Sequence, residues 1–124
     1  MSSARTNAAT QFLIQVASGE PRRAAEAHLA PNFKHHNPFF GAGADTLIDA
    51  MEENAKRFPD MTLSVERSIE EGNYVAVHSR IKPAPDHETL AACHIFRFES
   101  DRIAELWDIV QAEPNDSPNA DGMF

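Results

Sequence analysis

Between Ala91 and Gln111 the chain reads AACHIFRFESDRIAELWDIVQ, and apolar residues recur at every second position on both sides of Glu99-Ser100-Asp101. That periodicity confines both runs to strands lying across a core. Leu90, Ala92, His94, Phe96 and Phe98 form one inward set, and Ala104, Leu106, Asp108 and Val110 form the other. A three-residue loop with Asp101 in the left-handed conformation pairs Phe98 with Arg102 and His94 with Leu106. Both sets then share one face, interrupted only by His94 and Asp108. A buried carboxylate costs several kcal/mol unless it is paired or protonated, so Asp108 requires either a structural partner or a reaction.

The preceding chain supplies the cover for that face. Ala9, Phe12, Leu13, Val16 and Ala17 keep helical spacing, Ser18-Gly19 interrupts it, and Pro21 opens a short continuation, which predicts helix over about 5–29. Leu47, Met51, Ala55 and Phe58 predict another helix over 44–58. Alternation then predicts strands over 61–70, 74–82, 89–99 and 102–112, with a turn at Glu71-Gly72-Asn73. In the second of these strands Val75, Val77, Ser79 and Ile81 compete with Tyr74, Ala76, His78 and Arg80 for the inward face. Helices followed by strands indicate an α+β domain: three helices against a curved antiparallel sheet with a cone-shaped pocket, with a short extra strand near Phe33 as an open alternative.

With 124 residues, one domain over 1–124 is expected, with an irregular tail from about 113. The net charge of −8 opposes phosphate backbones and anionic membranes, so nucleic acid and membrane partners are not expected. A single cysteine, Cys93, and the lack of a long apolar N-terminal run lead to a cytoplasmic expectation. On the outward face of the hairpin Ile95, Trp107 and Ile109 are too apolar for open water and predict a homodimer through the sheet.

The candidate site gathers around Asp108 as a general base, with His94 across the hairpin to orient it or serve as its conjugate acid. Phe96 and Leu106 share that face. The aperiodic stretch Phe33-Lys34-His35-His36-Asn37-Pro38-Phe39-Phe40 combines aromatic and polar groups, as pocket-lining loops do, so Phe33, His36, Asn37, Phe39 and Phe40 join the set. His36 is favoured over His35 because Asn37-Pro38 fixes the backbone after it. His78 joins if the even positions of its strand face inward. No His-x-His or His-x-x-x-His pair sits on one element, so no metal is expected. Neither a Gly-rich phosphate loop nor a cofactor motif is present, so no cofactor is expected.

The motifs HHNP, FPDMTLSVE, EEGNYVAVHSR and HIFRFESDRIAELWDIVQ, with the terminal NADGMF, resemble the SnoaL-like family of the nuclear transport factor 2-like superfamily over nearly the whole chain. The resemblance is greatest to the branch of predicted aldol-condensation enzymes related to polyketide cyclases. Its aromatic-x-x-His-Asn-Pro loop falls on Phe33, His36, Asn37 and Pro38, its Val-x-Val-His strand on Val75, Val77 and His78, and its Glu-x-Trp-Asp motif on Glu105, Trp107 and Asp108. Position 94, often Asp in that branch, is histidine here. The resemblance implies His78 in the pocket and cofactor-independent acid–base chemistry on a small apolar carbonyl compound: aldol cyclisation, isomerisation or dehydration. A non-catalytic small-molecule-binding dimer is the alternative reading.

Overall fold

Three helices and a five-stranded sheet make up the computed structural model, which describes residues 3–124. In chain order they are α1 (Ala4–Ala17), α2 (Pro21–His28), β1 (Leu29–His35), α3 (Ala44–Arg57), β2 (Thr62–Glu71), β3 (Tyr74–Lys82), β4 (Leu90–Glu99) and β5 (Arg102–Ala112). Ser3 caps α1 by accepting the Thr6 N–H at 3.1 Å. The helix stops at Ser18-Gly19, where Gly19 takes φ +90°, a conformation that favours a residue without Cβ. Pro21 then opens α2. In α3 Asp45 lies in the first turn and Lys56 and Arg57 in the last, each sign opposing the helix dipole. Among the described residues no helix is long and apolar enough to cross a membrane.

The sheet is curved and unclosed, in the order β1-β5-β4-β3-β2. Neighbours are antiparallel except β1, which runs parallel to β5. The extra strand expected near Phe33 is therefore β1, a full edge strand whose Phe33 and His35 are buried while Lys34 is exposed. On the inner face Val75, Val77, Phe96, Phe98, Ile103 and Leu106 pack against Phe12 and Leu13 of α1, Ala24 of α2 and Leu47 of α3. The rings of Phe12 and Phe96 meet edge to face, with centroids 6.0 Å apart.

The hairpin differs from its expected register. Glu99 pairs with Arg102 and Phe98 with Ile103, which leaves a two-residue turn, Ser100-Asp101, and Ser100 rather than Asp101 is left-handed at φ 54°. Arg97 then pairs with Glu105, so Ala104 is an extra residue, a β-bulge that buries both Ile103 and Ala104. Beyond it Phe96 faces Leu106, and His94 faces Asp108 instead of Leu106. Val110, expected inside, is 53% exposed near the end of β5.

Candidate functional site

His94 and Asp108 meet across the β4–β5 ladder on the inner face. Here they border an apolar cavity of about 190 Å³, closed by Phe12, Leu13 and Val16 of α1, Met51 and Asn54 of α3, and Leu106 of the sheet. A second, wider cleft of about 510 Å³ is lined by Asn37, Phe40, Met51, Asn54, Arg57 and Asp108. Asp108, Met51 and Asn54 border both spaces, so Asp108 stands where the polar mouth gives way to the apolar interior.

The loop after β1 is tied to this carboxylate by a chain of hydrogen bonds. The Asn37 side-chain amide donates to Asp108 Oδ2 at 2.9 Å, and Asn37 Oδ1 accepts the Phe39 N–H at 2.9 Å. The Asn37 N–H donates to His35 Nδ1 at 3.1 Å. With Nδ1 accepting, the His35 proton is on Nε2, which donates to the Gly41 carbonyl at 2.9 Å. His35 is thus the buried pin of the loop, and Asn37 is both a turn residue and a contact of Asp108.

The other two candidate histidines lie across the sheet from the cavity. On β3 the odd positions Val75, Val77 and Ser79 are buried to 0% exposure. His78 consequently points outward, where it meets the Arg67 guanidinium and, at 5.6 Å between ring centroids, Phe124. The even-inward arrangement would have placed two valines in solvent and Arg80 in the core. His36 follows inward-facing His35 and so also points outward. It stacks on Trp107 at 5.0 Å, and its Nε2 lies 2.5 Å from Glu105 Oε2. Hydrogen bonds from His36 and Arg97 hold the Glu105 carboxyl below its usual range.

Of the aromatic candidates, Phe40 borders the mouth while Phe39 is 85% exposed. Phe33 and Phe96 are buried core residues rather than cavity lining, and Leu106 borders the cavity. Asn54 was not among the sequence candidates, although Leu47, Met51, Asn54 and Phe58 follow a four-three-four spacing in which it is the one polar member. Among the described residues no group of three or more His, Cys, Asp or Glu is placed to hold a metal.

Burial pushes His94 down to about 4, although the charge of Asp108 pulls the other way. The folded-state value lies below the ordinary 6.5, so the unfolded chain takes up this proton first as pH falls. Its contribution to stability is complete above pH 6.5 and is lost on descent to about 4, a total of about 3 kcal/mol. Urea unfolding at stepped pH is expected to show this loss in the parent and not in His94→Leu. Parallel pH profiles for the two proteins would disprove it.

Residues 9–106 match the family model described as SnoaL-like domain. No curated protein matches the chain. Among solved structures, the chain is similar to AclR, a proposed hydroxylase from Streptomyces galilaeus, at 18% identity over 86% of this chain and 88% of that one, with TM-score 0.73. A proposed polyketide cyclase from Acidithiobacillus ferrooxidans is 18% identical over 89% of each chain, with TM-score 0.72. An NTF2-like protein of unknown function from Cytophaga hutchinsonii is 22% identical over 90% of this chain and 92% of that one, with TM-score 0.68. At such identities these likenesses establish the nuclear transport factor 2-like fold and nothing of the reaction. The family-model match covers most of the chain, and the protein belongs to the SnoaL-like family.

Proposed function

We propose that the cavity is a cofactor-independent acid–base site for a small apolar carbonyl compound. The observation that carries this reading is the direct opposition of His94 and Asp108 at one end of an apolar cavity. Asp108 takes a proton from the carbon next to the carbonyl, and neutral His94 donates a hydrogen bond to the oxygen as it becomes an enolate. Asn37 holds one carboxylate oxygen at 2.9 Å and leaves the other for the substrate. Return of the proton to a different carbon gives isomerisation, attack of the enolate on a second carbonyl with return of the proton to the new alkoxide gives aldol cyclisation, and departure of a β-hydroxyl with that proton, as water, gives dehydration. Each of these balances without an added oxidant or reductant. The test is deuterium exchange at the α-carbon of a cyclic ketone whose occupancy of the cavity is established by NMR, in the parent and in Asp108→Asn. Equal exchange in both would remove Asp108 as the base. A ketone that binds and exchanges in neither would leave the protein a binding module.

The assembly proposed with this reading is a homodimer through the outer sheet face. Tyr74 and Ile109 are 43% and 61% exposed there, next to the stacked pair of His36 and Trp107. A charge at the centre of such an interface is not tolerated, so Ile109→Lys is expected to convert a dimer into a 13.7 kDa monomer in light scattering. A parent protein that is already monomeric at high concentration would exclude the dimer.

A further inference from the structure

Among the described residues, two buried side-chain polar atoms have no hydrogen-bond partner, Ser79 Oγ and His94 Nδ1. They are not scattered. Ser79 pairs with Ala92 on the neighbouring strand and Val77 pairs with His94, so Ser79 and His94 are diagonal neighbours on the same inward face of β3 and β4. Diagonal pairs on one face of a sheet lie within reach of longer side chains, and a serine hydroxyl turns about a single torsion among three staggered positions. An unpaired buried polar group is costly, and such groups are rare enough that each calls for an explanation. A hydrogen bond between the two would satisfy both.

We propose that Ser79 is a positioning residue whose hydroxyl donates to His94 Nδ1 and so fixes the ring in its Nε2–H tautomer, with that N–H free for the oxygen of a carbonyl ligand. Proton accounting sets the direction. Neutral His94 has one ring hydrogen and Ser79 has one hydroxyl hydrogen. If the ring donated to Ser79, the hydroxyl hydrogen would stay buried without an acceptor. With the hydroxyl donating, the serine hydrogen is paired and the ring hydrogen points away from it, toward the side on which Asp108 lies. The lower basicity that burial imposes on His94 is consistent with a ring kept neutral for this purpose.

The catalytic consequence rests on the proposed acid–base function, but the tautomer does not, so the two are tested separately. In histidine labelled with ¹⁵N, the parent is expected to show His94 as a single Nε2–H tautomer, and Ser79→Ala is expected to show a mixture. In a double-mutant cycle, Ser79→Ala should lower the melting temperature when His94 is present and leave it unchanged or raised in the His94→Leu background. If a ketone is turned over, Ser79→Ala should slow α-carbon exchange about tenfold, the scale of one lost hydrogen bond. A tautomer population identical in parent and Ser79→Ala overturns the proposal even if Asp108→Asn abolishes exchange. A shifted tautomer with no exchange by any protein upholds it and removes only the catalytic reading.

Discussion

Asp108→Asn is expected to exchange the α-hydrogen of a bound ketone about 10² to 10⁴ times more slowly than the parent, the range that a positioned proton-transfer group contributes. Its fold should survive, for reasons found in the loop. The Asn37 amide donates to Asp108 Oδ2 at 2.9 Å, and a carboxamide oxygen in the same place still accepts that hydrogen, in a neutral and weaker bond. Proton abstraction is therefore lost while binding remains, and the signature is a collapse in exchange rate at nearly constant ketone affinity. The checks are exchange followed by NMR at saturating ketone and a melting curve of each protein. A variant that retains more than about a tenth of the parent rate would mean that another group moves the proton, since even the low end of the expected range is larger.

Phe96→Ala is expected to cost about 3 to 5 kcal/mol of folding stability, more than any other single change considered for this chain. Phe96 has 0% exposure, its ring meets Phe12 edge to face, and the His94 ring stacks on it at 6.2 Å. It is thus a floor beneath the polar pair as well as a core residue. Close-packed surroundings cannot collapse fully into a hole of that size, so the lost contacts add to the lost burial. The midpoint of urea unfolding should fall steeply with little change in slope. A loss below about 1 kcal/mol would mean that the site relaxes around the hole, against the packing described.

Much of the fold was legible in the sequence, because alternation and helical spacing directly report which face is buried. The strands β2 to β5, the helix α3 and the interruption at Ser18-Gly19 follow from such patterns. What was not legible depends on partners far along the chain. The strand β1 contains Pro31 and Asn32, and it is held by a parallel pairing to β5 some seventy residues away, which no local period announces. His78 is expected in the pocket from the Val-x-Val-His resemblance, but both faces of β3 carry comparable apolar residues, and packing against the helices buries Val75 and Val77 instead. For the candidate site, Asp108 and His94 stand out by their intrusion into apolar sets, and the structure places both at the cavity. His36 drew attention through its neighbours Asn37 and Pro38, yet in a strand adjacent residues point to opposite faces, and His35 holds the inward place. Asn54 carries no such signal, because a single asparagine on a helix ordinarily belongs to the solvated side.

The bulge at Ala104 bears on how this hairpin can vary in length. A regular ladder starting from the two-residue turn would place Glu105 and Trp107 inside and Asp108 outside, since a slip of one residue exchanges the faces of a strand. The bulge takes up one surplus residue between the turn and Leu106, so without Ala104 a regular ladder would still pair Phe96 with Leu106 and His94 with Asp108. A chain with a longer tip could give up that residue and still bring His94 opposite Asp108. The bulge therefore gives the hairpin one residue of slack ahead of the His94–Asp108 pair.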